Sequence, residues 1–247
     1  MDLSSRVIVI TGASTGLGAG MATWFASAGA ALGLCARRIP DPPHDRTVSR
    51  SVDVTDKAAL EGFASEVSST LGPIDLWINN AAVLEPVVAV RKVSWTELER
   101  HLTINVGGVL HGTQVFLERL DADGHRGALI NISSGVAQRG RAGLAAYSAS
   151  KAAVDRLTEV VAAEEKDLLT MALAVSPGVV ETRMQATIRN LDESVFPDVE
   201  LFRSFQREGV MNSPGWVAAH IAEWVFGGSR PEGVIVRVPR EADQNPT

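Results

Sequence analysis

Six short apolar runs, RVIVI, ALGLCA, IDLWIN, ALINIS, MALAVS and GVIVRV, recur along the chain with longer stretches between them. Several are apolar at consecutive rather than alternate positions, as strands are when helices cover both faces of their sheet. The intervening stretches GLGAGMATWFASAG, DKAALEGFASEVSSTLG, SWTELERHLTINVGGVLHGTQVFLERL and AAYSASKAAVDRLTEVVAAEEKDL repeat their apolar residues at helical spacing. Alternation of this kind predicts an α/β fold, a doubly wound parallel sheet of about seven strands with helices on both faces. With no internal repeat and no low-complexity linker, residues 1–247 are expected to form one domain.

Two segments break the rhythm. Residues 37–50, RRIPDPPHDRTVSR, are rich in Pro and charge and read as a loop where a crossover helix would normally lie. Residues 182–213 are long, mixed in character and strandless, which is how a lid over a substrate reads. Phe196, Phe202, Phe205 and Met211 would give it an apolar underside, with Leu84 and Val136 further in. The closing residues 239–247, PREADQNPT, read as a polar tail.

Composition narrows the function. A net charge of −6 without a basic stripe argues against nucleic acid as a partner. The single cysteine, Cys35, lies in the apolar run ALGLCA and reads as a buried small hydrophobe. The five histidines show no metal-ligand spacing, so no metal is expected. No run is long enough to span a membrane, and MDLSSRVIVI does not read as a signal peptide, so a cytoplasmic location is expected.

In VIVITGASTGLGAGMA a strand runs into Gly12, Gly16 and Gly18 and then into a helix. Glycines there let the backbone turn tightly and let a pyrophosphate approach the helix N-terminus, although a plain tight turn would look similar. At the N-terminal edge of this alternation, the turn favours a Rossmann-type dinucleotide site. NAD-preferring sites carry an acid at the end of the next strand. Here that place is Ala36, followed by Arg37 and Arg38, which would attract a 2′-phosphate and favour NADP(H) over NAD(H).

Tyr147, the only tyrosine, and Lys151 are four positions apart in YSASK, so a helix would put both on one face. A neighbouring ammonium would lower the phenol toward a useful proton-transfer range. Alone, the pair is equally a packed tyrosine beside a solvated lysine.

The pair has company. TGASTGLG, DVTD, NNAA, INVGG, NISSG, YSASK and PGVVET occur in order, and together they resemble the short-chain dehydrogenase/reductase family over nearly the whole chain. Within the family the chain is similar to members grouped around benzil reductase and sepiapterin reductase. The resemblance implies Tyr147 as general acid/base, Lys151 as the group that lowers its pKa and binds the nicotinamide ribose, and Ser134 as donor to the substrate oxygen. Asn105 would hold a water relay behind the lysine, and Ser133 would face the interior. For the cofactor it implies Gly12, Ser14, Thr15, Gly16, Leu17 and Gly18 in the turn, and Asp53 and Val54 at the adenine. Asn79 and Ala81 would support the middle, and Pro177, Val180 and Thr182 the nicotinamide.

Three departures stand out. Ala82 replaces the usual glycine of NNAG, and Thr15 stands where many NADP-dependent members carry a basic residue. The short 37–50 loop would leave the adenosine end more exposed. Arg139 and Arg141, just before the tyrosine, would border the substrate and could meet an acidic one. The expected activity is NADP(H)-dependent reduction of a small ketone or aldehyde. Oxidation of an alcohol on the same site, or cofactor binding without catalysis, are the alternatives. Family members commonly form homodimers or homotetramers through the two long helices, here near residues 105–120 and 144–168.

Overall fold

β1 (Val7–Thr11), β2 (Ala31–Ala36), β4 (Leu76–Asn79) and β5 (Gly127–Ile132) are buried at every position, as their unbroken apolar runs require. In the computed structural model, which describes residues 1–243, they form the centre of one parallel sheet ordered β3-β2-β1-β4-β5-β6-β7. β6 (Leu169–Ser176) and β7 (Ile235–Arg237) continue it on one side. Of the polar tail, residues 244–247 lie outside the described residues.

The remaining edge corrects the sequence reading. Residues 37–46 form no helix, as expected, but Thr47–Ser51 forms β3 and pairs with β2 from Leu32↔Thr47 to Ala36↔Ser51. The sequence TVSRS hides this strand because an edge strand buries little, here only Val48.

Successive side chains on each strand divide between two cores. Ile8 and Ile10 join Met21, Phe25, Val217 and Ile221 beneath α1 (Gly16–Ser27) and α8 (Pro214–Ala222). Val7 and Val9 join Phe63, Val67, Trp77 and Phe116 beneath α2 (Lys57–Leu71) and α4 (Gly108–Asp123). α8 is a helix that the sequence pattern leaves unassigned. Ser213 caps it by accepting the Trp216 N–H at 3.1 Å, and Pro214 opens it.

The long stretch 94–120 is not one helix. α3 (Trp95–His101), opened by a Ser94–Glu97 capping box, gives way to a π-helical turn at Leu102–Gly107 before α4 begins. α5 (Ala145–Glu164) is the predicted helix through Tyr147. The 182–213 segment contains two short helices, α6 (Arg183–Arg189) and α7 (Val199–Arg207).

Strand order reverses between β1 and β4, and in such sheets ligands bind at the carboxyl ends of the strands beside that point. The Gly12 turn, the NNAA loop, Ser134 and Pro177 all follow carboxyl ends of strands at or beyond it.

Candidate active site

Gly12 has φ +66°, and a Cβ there would lie 2.7 Å from Ala81 Cα; one at Gly18 would lie 2.5 Å from Gly12 O. The turn is therefore packed against the NNAA loop with room only for hydrogen at these two positions. Thr15 leads into α1 with no side-chain cap, so the N–H groups of the first turn face outward, the arrangement that receives a phosphate. The residues present fit a dinucleotide.

The loop after β4 is tied to the turn by residues that sequence reasoning missed. The Thr11 hydroxyl accepts from the Asn80 and Ala81 N–H groups at 3.0 and 3.2 Å, and the Asn80 amide donates to Thr11 O and Gly12 O. The second asparagine of NNAA was the available signal. Asn79 points the other way. Its Oδ1 accepts from Trp77 Nε1 at 2.8 Å and its Nδ2 donates to Asn131 Oδ1 at 2.9 Å, while Asn131 in turn donates to Thr158. The Asn79 side chain thus joins β4, β5 and α5 inside the protein and does not line the crevice.

At the adenosine end, Arg37 and Arg38 are exposed at the tip of β2, and Arg38 donates to Ser14 O at 2.9 Å. Asp53 accepts from Thr55, and these bonds with the nearby Arg37 hold its carboxyl below the usual range. Asp53 also borders a pocket of about 340 Å³ whose far wall is Thr96, Arg100 and Thr103. A second pocket of about 210 Å³ lies between Ser14, Thr23 and the 37–46 loop at Asp41 and Pro43. After β6, the backbone near Val180 bridges Asn212, and Asn212 Nδ2 donates to Pro177 O at 2.9 Å. Thr182 lies across the glycine turn, 3.5 Å from where a Gly16 Cβ would be.

α5 brings the chemistry together. Lys151 is 2% exposed and its Nζ donates to Ile132 O at 2.7 Å, 5.8 Å from the centre of the Tyr147 ring. Burial lowers its pKa to about 8. Asn105, presented by the π-helical turn, accepts from Val83 N at 2.8 Å and donates to Val83 O and to Ser150 Oγ. It ties the loop after β4 to α5. Ser150 in turn donates to Tyr147 O at 2.8 Å.

The expected depression of the tyrosine is reversed. Burial raises the Tyr147 phenol to about 12, and only the hydrogen bond with Ser134 works against that rise. The burial comes from an apolar cluster to which the 182–213 segment contributes. Phe196 and Phe202 pack with Ile188, Val199, Leu84, Val136 and Tyr147 itself into one apolar cluster. Water is removed from the phenol while Lys151 is aimed at the Ile132 carbonyl. Phe205 extends the cluster edge-on from Phe202, whereas Met211 lies against Arg189 instead. Arg141 pairs with Asp198 of the lid, and Arg139 remains exposed.

The sheet carries a phosphate-ready glycine turn at its switch point, with Tyr147 and Lys151 buried and Ser134 half-buried on its rim. A sequence model of the short chain dehydrogenase family matches residues 6–193. A benzil reductase ((S)-benzoin forming) of Bacillus subtilis (strain 168) is 31% identical over 233 residues, 91% of this chain and 95% of that one. A protein of the same description from Bacillus cereus is 28% identical over 246 residues, 94% and 99% of the two chains. The crystal structure of the KRED1-Pglu enzyme superposes with a TM-score of 0.84 at 27% identity, covering 94% of this chain and 100% of that one. The chain belongs to the short chain dehydrogenase family and is an oxidoreductase.

Proposed function

We propose that the protein is an NADPH-dependent carbonyl reductase acting on apolar ketones and 1,2-diketones of the benzil type. The observation that carries this reading is the Tyr147 phenol, buried in the apolar lid cluster on the same face of α5 as the buried Lys151. A phenol in that state keeps its proton at neutral pH, as the donor in a reduction must. The cluster around it suits an aromatic or aliphatic substrate. Arg141 is committed to Asp198, which argues against an acidic one. Benzil reductases stand among the similar proteins, which agrees with this chemistry.

The nicotinamide, when bound, supplies the hydride. Gly12, Ser14, Thr15, Gly16, Leu17 and Gly18 would hold the pyrophosphate, Arg37 and Arg38 the 2′-phosphate, and Asp53 and Val54 the adenine. Ala81, Pro177, Val180 and Thr182 would flank the rest, with Lys151 at the ribose. Tyr147 gives its proton to the substrate oxygen as charge develops there, and the Ser134 hydroxyl donates to the same oxygen. Lys151 favours the phenolate left behind. Asn105 keeps the loop after β4 and α5 in register.

The same reading has the protein cytoplasmic and assembled as a homodimer or homotetramer through α4 and α5, where Leu110 and Val160 are exposed. The test follows the loss of NADPH absorbance with benzil and a panel of ketones and aldehydes. Turnover with NADPH well above that with NADH is expected. Turnover confined to alcohols with NAD⁺ would overturn the proposal in favour of an oxidative dehydrogenase.

A further inference from the structure

Three consecutive residues at the end of β5 engage three residues of α5 spaced one turn apart. The Ile132 carbonyl accepts from Lys151 Nζ and the Ser133 hydroxyl donates to Asp155 Oδ1, while Ser134 lies near enough to the Tyr147 phenol to work against its rise on burial. Positions 147, 151 and 155 follow one another at i, i+4 and share one face of the helix. Two of the three contacts contain groups of the proposed site. The third, Ser133–Asp155, takes no part in that chemistry, yet both residues are 3% exposed.

A buried carboxylate is costly unless it is hydrogen-bonded and balanced by a cation. Ser133 supplies the hydrogen bond. Burial pushes the Asp155 carboxyl up, and the Ser133 bond, the exposed Arg156 that pairs with Glu159, and Lys151 one turn back all work against that rise; of the two cations only Lys151 is buried. The elements packed on α5 contribute little charge. β6 carries no charged residue, nor do the π-helical turn and the Gly135–Ala137 turn. On α3, Glu97 is engaged with Ser94, Glu99 and Arg100 are exposed, and the buried His101 ring bonds to the carbonyls of Glu97 and Leu84.

We propose that Asp155 is a positioning residue for the proton-donating pair. Its charge holds Lys151 as an ammonium, and its bond with Ser133 locks the end of β5 so that Ile132 and Ser134 meet Lys151 and Tyr147. The proposal rests on the reading of Ser134, Tyr147 and Lys151 as the reacting set. It agrees with the pull on Lys151, where burial lowers the ammonium pKa and Asp155 opposes the fall.

The sign of the effect follows from Coulomb's law. Taking away a negative charge makes both the ammonium and the phenol lose their protons more readily. Reduction needs both protons, so the first ionisation of the coupled pair sets the alkaline limb of kcat/KM.

The experiment measures kcat/KM for benzil reduction by NADPH against pH, from about 6 to 10. Asp155→Asn keeps an acceptor for Ser133 but removes the charge, and its alkaline limb is expected to move down by roughly half to one pH unit. Asp155→Glu restores the limb. Ser133→Ala retains the charge, so its limb stays in place while kcat falls by about threefold to tenfold at every pH. An Asp155→Asn profile that is scaled down with its limb unmoved overturns the proposal. If that variant does not fold, Asp155→Ser carries the same test. Tyr147→Phe serves as the reference: near-normal turnover there would overturn the reading of the site, whereas its loss with an unmoved Asp155→Asn limb would overturn only the role of Asp155.

Discussion

Arg141, in the loop that precedes α5, pairs with Asp198 at the start of α7, and its guanidinium lies 5.5 Å from the centre of the Phe202 ring. One side chain thus joins the border of the proposed site to the lid by charge and by its flat face. Asp198→Asn should loosen the lid without touching the reacting groups. KM for benzil is expected to rise about twofold to fivefold, as for a partly exposed ion pair. The Kd for NADPH should stay near its original value, measured by fluorescence titration. An unchanged KM would show that the lid is held by its apolar contacts alone.

Tyr147→Phe removes the proton and little else. Turnover of benzil should fall by about 10² to 10⁴. NADPH binding, read from nicotinamide fluorescence, should persist. Loss of both together would instead indicate damage to the fold around α5.

Arg38 reaches back to Ser14 O and stands beside the glycine turn. Arg38→Glu places a carboxylate where the 2′-phosphate is proposed to bind. kcat/KM with NADPH is expected to drop by about tenfold to a hundredfold, and that with NADH to change less. Equal losses with both cofactors would sink the phosphate assignment.

Lys151 leaves a mark on stability. An unfolded chain holds this proton to a pH of about 10.4, whereas burial lowers the folded value to about 8. Between those values the unfolded state binds more protons, so this residue makes stability rise with pH, by at most about 1.4 kcal/mol per unit. Tyr147 and Cys35, both raised to about 12 by burial, act in the opposite sense once the unfolded chain begins to lose those protons. Urea unfolding of the protein and of Lys151→Met at about pH 7.5 and 9 separates the contributions. The stability gap between the two proteins should shift in favour of the lysine form as pH rises. A constant gap would mean that the lysine is not depressed.

Asn79→Ala would strip partners from Trp77 Nε1 and from Asn131, both buried. A loss of about 2 to 4 kcal/mol in unfolding free energy is expected. The NADPH Kd of the folded fraction should change much less than it does in Asn80→Ala, whose side chain holds the glycine turn.

Local signals carried the sequence reading furthest. The strand-to-glycine turn and the Tyr147–Lys151 spacing are statements about near neighbours, and both elements formed where expected. Information that depends on distant partners was hidden. TVSRS looks like a loop until β2 supplies its hydrogen bonds. Asn79 and Asn80 look equivalent, but adjacent residues at a strand end face opposite ways, and only the sheet order says which side is the crevice. The helical period of residues 94–120 gave no sign of the π-helical turn that presents Asn105. The tyrosine's pKa is raised by burial in a cluster that draws residues from Leu84 to Phe202, and proximity of a lysine in the sequence gave no sign of that burial.

The 182–211 segment begins and ends beside one buried residue, Asn212. Asn212 bridges Val180, donates to Pro177 O and Pro239 O, and accepts the Glu241 N–H through its Oδ1. The thirty or so residues between therefore form a cassette whose two ends share one anchor. Its length and side chains can be rewritten without altering the spacing of any strand. A change in the length of residues 182–211 therefore meets the rest of the fold first at Asn212 and at the cluster around Tyr147.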